Sequence, residues 1–83
     1  MAHASNLRFK RGIYHFRRKV PHSLTGRFGC REIIRSLRTA NPLLAAHRAR
    51  VLWLRCDVLF DAVKTVPTLT REQIEAIVRR WLD

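Results

Sequence analysis

The chain has 83 residues, with 17 Lys+Arg against 6 Asp+Glu and a formal net charge of +11. Hydrophobic residues make up 47% of it, too many for a disordered basic tail, so the charge must sit on something that folds, and the length allows one domain or one domain and a piece of another. No apolar run approaches the roughly 18 to 20 residues that span a bilayer, and Met1 to Lys10 lacks the apolar stretch of a secretory signal, so a soluble, cytoplasmic protein with no membrane partner is expected.

Leu7, Phe9, Tyr14, Phe16 and Val20 recur among charged residues with a period of two that breaks at Arg11-Gly12, which predicts a β-hairpin. A two-residue turn there sets Lys10 opposite Ile13, Phe9 opposite Tyr14, Arg8 opposite His15 and Leu7 opposite Phe16. Leu7, Phe9, Tyr14 and Phe16 then share a core-facing side. Arg8, Lys10, His15, Arg17 and Lys19 share the other side around Ile13, with no acidic residue among them.

Pro21 has no N–H to give a sheet, so it ends the second strand, and Pro21 to Gly29 reads as a connection with one helical turn. Arg31 to Thr39 is the expected third strand. Either Ile33 and Leu37 or Ile34 and Ser36 point inward; Leu37 inward is the preferred facing, and it turns Ser36 and Arg38 to the cationic side. Arg18 and Arg35 then fall awkwardly on the apolar side, where both are expected to reach past the helix edge and snorkel.

Asn41-Pro42 is a strong helix start, with Asn as N-cap and Pro at the first helical position. The helix is expected to run to about Lys64. Ala45, Ala49, Leu52, Cys56, Leu59 and Val63 line one face, flanked by Trp53 and Phe60, while Leu44, Val51, Val58 and Ala62 extend an apolar arc on the other flank. That arc is more apolar surface than one small sheet covers and points to a second contact. After Val66-Pro67, Thr70 and Gln73 form a capping box for a last helix, with Leu69 and Ile74 as a staple. Ile74, Ile77, Val78, Trp81 and Leu82 hold one face of it, and Glu75 can pair with Arg79.

The expected fold is therefore α+β: a small three-stranded antiparallel sheet packed on one long helix, followed by a second amphipathic helix. Residues 1–66 form the first domain, and 67–83 read as the truncated start of a following helical one.

Little in the chain suggests catalysis. Cys30 and Cys56 lack metal-ligand spacing, and Cys56 sits on the helix seam as a small buried apolar residue. His3, His15, His22 and His47 are scattered, with no carboxylate close in sequence to make a general base, and Tyr14 belongs to the apolar row of the hairpin. No cofactor is implied. The charge is more telling: residues 1–42 hold ten Lys+Arg and one acidic residue, and residues 43–83 hold seven and five. A field this one-sided calls for a polyanion. Arg8, Lys10, His15, Arg17, Lys19 and Arg38 converge on one sheet face of the kind that fits the major groove of duplex DNA, and Arg11 in the turn can reach phosphate.

The order of motifs carries a resemblance. RGIYHFRRKVP, then GRFGCREI, then RSLRTANPLLAAHRAR together resemble the N-terminal region of phage-type tyrosine recombinases, the site-specific integrases, over about Leu7 to Leu82. Tyr14, Phe16, Arg17, Arg18, Val20 and Pro21 match that family's FRRRVP-type strand. Gly29, Glu32 and Ile33 match its G-R-x-E-I approach, and Ser36, Leu37, Thr39 and Ala46 match the S-L-x-T strand end with its Ala- and Arg-rich helix. TREQIEAIVRRWLD looks like the segment that leads into the core-binding domain. The resemblance implies a DNA-binding N-terminal module acting in DNA integration and recombination, in a bacterial or phage-encoded, nucleoid-associated protein. Its partners would be double-stranded DNA and the remaining integrase domains or other integrase subunits. Such enzymes cut with a tyrosine in a C-terminal domain that these 83 residues do not include, and Tyr14 does not match it, so no catalysis is expected of this chain by itself. The rival expectation is a protein-interaction or subunit-contact module that docks through the apolar arc of the long helix, without specific DNA binding.

Overall fold

Strands β1 (Leu7–Lys10) and β2 (Ile13–Lys19) form the hairpin in the expected register, Leu7 opposite Phe16 through Lys10 opposite Ile13. A computed structural model describes residues 6–83; His3 lies outside the described residues. Arg11 and Gly12 have φ of 55° and 81°, the pair of left-handed residues that matches a two-residue turn to the twist of its strands.

β3 (Glu32–Ser36) joins the other side of β2, antiparallel, so the sheet order is β1-β2-β3. Its register sets Ser36 opposite His15, Arg35 opposite Phe16, Ile33 opposite Arg18 and Glu32 opposite Lys19. This resolves the facing: Ile33 and Leu37 are buried and Ile34 is exposed. The strand is shorter than the expected Arg31 to Thr39. Beyond Ser36, Leu37 N–H donates to Tyr14 O at 2.9 Å while Tyr14 N–H donates to Thr39 O, also at 2.9 Å. The residues between bulge out of the ladder, and Arg38 takes φ 55°.

The link from β2 to β3 is a 3-10 turn (His22–Leu24) running into a single helical turn, α1 (Thr25–Phe28), which Gly29 ends at φ 75°. Helix α2 (Pro42–Thr65) follows, its N-cap Asn41 Oδ1 accepting from Leu43 N–H at 2.9 Å and Leu44 N–H at 3.2 Å. Ala45, Ala49, Cys56, Leu59 and Val63 are buried along its seam, and Leu52 is half-buried. The first half of the seam packs under the sheet. The second half meets α1, where Phe28 and Phe60 stand edge to face at 5.4 Å. Arg27 closes the C-terminal end of α2 by donating to the carbonyls of Val63, Val66, Pro67 and Leu69. A cation there satisfies orphan acceptors and opposes the negative end of the helix dipole.

Helix α3 (Arg71–Leu82) has the expected capping box, with Thr70 Oγ1 accepting from Gln73 N–H and Gln73 Oε1 accepting from Thr70 N–H. Ile74 and Leu82 are buried in the same core as Phe16 and Leu59, and Leu69 packs against it. Glu75 and Arg79 do not pair.

Two expectations about the inner face need correction. Phe9 lies on the apolar row but beyond the reach of α2, so it stays 57% exposed and touches Tyr14 edge to face at 4.8 Å. Arg18 does not snorkel to water. Its guanidinium stacks 3.6 Å from the Trp53 ring centroid, donates to Trp53 O at 2.8 Å and pairs with Asp57 at 2.7 Å, leaving the side chain 15% exposed. A desolvated cation is tolerated on this face because the ring, the carbonyl and the carboxylate replace its hydration. Arg35 passes the opposite flank of α2 and pairs with Asp83 at 2.6 Å.

The core is small, so single truncations should be felt throughout. Phe16→Ala should cost about 3 to 5 kcal/mol, a large part of the stability of any such domain. Leu43→Ala, at an exposed site, should stay within about 0.5 kcal/mol. Urea midpoints of the two variants provide the check.

Candidate nucleic-acid interface

Strand alternation makes the outer face of the sheet. From β1 it carries Arg8 and Lys10, from β2 Ile13, His15, Arg17 and Lys19, and from β3 Glu32, Ile34 and Ser36. Arg8, His15 and Ser36 form one cross-strand row at its middle. Arg8, Lys10, Arg11 and Lys19 are exposed, whereas His15 and Arg17 are half-buried. The expected face thus brings together six of the seven cationic candidates, Arg11 lying in the turn at its end. The seventh departs. Arg38 sits past the end of β3 in the bulge, where its left-handed backbone breaks the alternation, and it borders a groove beside the sheet.

The face is not free of acid. Glu32 stands opposite Lys19, and its Oε2 accepts from Arg17 Nε at 2.5 Å. The preferred facing of β3, Leu37 inward, puts Glu32 on this side, but only the β2–β3 register brings it to Arg17. Arg17 is therefore partly neutralised and held in place, and the unpaired charge of the face is carried by Arg8, Lys10, Arg11 and Lys19. His15 Nδ1 lies 3.2 Å from Ile13 O. A carbonyl can only accept, so this contact is a hydrogen bond in the tautomer that carries its proton on Nδ1.

Two further basic residues belong to the same region. Arg31 and His22 line a cleft at the far end of the sheet together with Arg17 and Lys19. Val20 N–H donates to Arg31 O at 2.8 Å, which continues the β2–β3 register by one residue. By alternation Arg31 falls on the row of Ile33, so strand extension alone does not place it in this cleft. For His22, after the strand-ending proline, the sequence holds no signal.

A family model described as "Domain of unknown function (DUF6538)" matches residues 6–65, from just before β1 to the last residue of α2. The chain belongs to the DUF6538 family. No curated protein and no solved structure matches it. The matched span of this DUF6538 chain holds the whole sheet with its outer-face cations, and α3 lies outside it.

The other groups singled out for chemistry stand apart from this face. Among the described residues no three His, Cys, Asp or Glu side chains come together as a metal site would require. Cys30 is exposed and Cys56 buried, and both are free thiols. Burial pushes the Cys56 thiol up to about 11, despite the opposing pull of the Arg18 charge. No helix among the described residues is long and apolar enough to cross a membrane.

Two predictions follow from these environments. A thiol reagent at pH 8 should label Cys30 at once and Cys56 only as fast as the protein opens, because thiolate is the reactive form. Equal labelling of both would contradict the packing. Separately, arginine is a poor residue for φ 55°, costing about 1 kcal/mol relative to a residue at home there, so Arg11→Asn should raise the thermal midpoint by supplying the Asn-Gly turn that this geometry favours.

Proposed function

We propose that the outer face of the sheet binds duplex DNA, as the N-terminal module of a phage-type integrase, in DNA integration and site-specific recombination. The observation that carries the reading is the segregation of charge across β2: one face holds the core, and the other presents Arg8, Lys10 and Lys19 to solvent with Arg11 at its end. A three-stranded sheet offers a ribbon of the width that enters the major groove, which is about 12 Å wide. The seven residues of β2 span about 20 Å at roughly 3.3 Å per residue. Cations at the two ends then meet the phosphate backbones while the middle row faces base edges. The motif order from Tyr14 to Ala46 supports the integrase parentage, and on that parentage the chain acts in DNA binding and has no catalytic role by itself. The other integrase domains or subunits would be its protein partners, in the cytoplasm of a bacterial host.

The outer, cationic face of the sheet carries no Phe, Tyr or Trp, and exposed Phe9 lies on the opposite side, which disfavours single-stranded RNA, whose binders need stacking platforms beside their cations. One observation favours a different reading. Leu54 and Val58 on the outward side of α2 are 59% and 53% exposed, and Leu43, Leu44 and Val51 continue the stripe. That surface suits a subunit contact. Loss of self-association or partner capture in Val58→Glu, with duplex binding unaltered by Lys19→Glu, would decide for it.

For the DNA reading, about five phosphate contacts imply that log K falls against log salt with a slope of roughly −4 to −5, several hundredfold between 50 and 200 mM. Glu32→Gln should tighten binding by freeing Arg17, and Arg8→Gln should weaken it with no loss of fold by circular dichroism. A flat salt dependence would sink the proposal.

A further inference from the structure

A groove opens beside the end of β3, between that strand, the first half of α2 and the end of α3. Arg35, Arg38, Arg48 and Arg55 all border it, Leu52 and Leu82 supply apolar wall, and Asp83 is the single acidic residue on it. Four guanidiniums around one carboxylate repel one another, so the fold pays for bringing them together. Three are held by the backbone, Arg35 among them through Nη1 donating to Ile34 O at 2.8 Å. Arg48 Nη1 donates to Leu37 O at 2.6 Å, and Arg55 Nη1 donates to Trp81 O at 2.9 Å. Each of them uses one donor of five there and keeps the others, already ordered, for a ligand.

Arg38 adds a second, independent observation. Its guanidinium donates to no partner among the described residues, and it is brought to the groove by a bulge and a φ of 55° that arginine adopts at a cost. Strain of this kind, kept at a residue whose guanidinium has no hydrogen-bond or ion-pair partner among the described residues, points to a role outside the fold. Arg35 shows the chemistry the groove accepts. Its Nε donates to Asp83 Oδ1 at 2.6 Å, so an oxyanion already sits among the arginines. The Asp83 side chain pairs with only one of the four guanidiniums. A phosphate group offers more acceptor oxygens and more charge, and it matches the forked donors of arginine better than a single carboxylate does.

We propose that this groove is a phosphate-binding site in which the Asp83 carboxylate is an internal stand-in, displaced from Arg35 when phosphate enters. The phosphate could belong to a DNA backbone leaving the sheet face past Ser36, a source that rests on the DNA reading above, or it could be free; the site itself rests on neither.

Titration with inorganic phosphate, followed by NMR of backbone amides and arginine Nε groups, tests it. Saturable shifts are expected at Arg35, Arg38, Arg48, Arg55 and Asp83. Asp83→Asn should tighten phosphate about fivefold. Arg38→Asn, which suits the left-handed backbone and so keeps the fold, should weaken it about tenfold. Shifts confined to Arg8, Lys10 and Lys19, or affinities unchanged in both variants, would overturn the proposal. A duplex arm separates the sources. If the DNA backbone fills the groove, Arg38→Asn lowers the salt slope by about 0.9. An unchanged slope with phosphate still bound assigns the site to free phosphate. No duplex binding at all, with the groove shifts intact, removes the sheet-face reading and leaves the site standing.

Discussion

Among the described residues β2 is the only strand with a neighbour on both sides, and its side chains alternate between the core and solvent. Tyr14, Phe16 and Arg18 point one way, and His15, Arg17 and Lys19 the other. A slip of one residue would put fully buried Phe16 into water and Arg17 against α2, so the register tolerates no neighbour. The Arg11-Gly12 turn fixes it from one side and the β3 ladder from the other. Every later feature inherits this constraint: where α2 lies, which cations gather, and which arginine must be accommodated on the wrong face.

The accommodation of Arg18 shows how tightly the two faces are separated. A cation on the apolar row would ordinarily be excluded, yet here it is sandwiched between the Trp53 ring and Asp57 and becomes part of the packing of α2 against the sheet. Arg27 does comparable work at the end of α2. Some arginines of this chain are thus structural, in contact with carbonyls, rings or carboxylates, while Arg8, Lys10, Arg11 and Lys19 have no such partners among the described residues. Net charge alone does not separate the two groups. Their contacts do, and four of the unpartnered cations gather on the outer face of the sheet, where a polyanion would relieve their self-repulsion.

The hairpin and its register are legible in the sequence because a period-two pattern interrupted at one turn has a single low-energy folding. Both long helices are legible for a similar reason: Asn41-Pro42 and the Thr70–Gln73 box are local signals that need no tertiary context. What depends on placement is not. Ile33 and Ile34 are adjacent apolar residues, and only the packing of α2 decides between them. From that choice follows the Arg17–Glu32 pair, whereas the cleft position of Arg31 and the bulge that carries Arg38 off the face have no local signal. The reach of α2, which leaves Phe9 exposed, and the covering of Trp53 by Arg18 likewise depend on three-dimensional fit between segments distant in the chain.

If the outer face of the sheet is the proposed docking surface for duplex DNA, the contact can be mapped on it residue by residue. In an NMR titration with a short duplex at low salt, shifts are expected at Arg8, Lys10, Arg11, His15 and Lys19, with Leu54 and Val58 on the outward side of α2 unaffected. Perturbation centred on that helix stripe, or none on the sheet face, would contradict it.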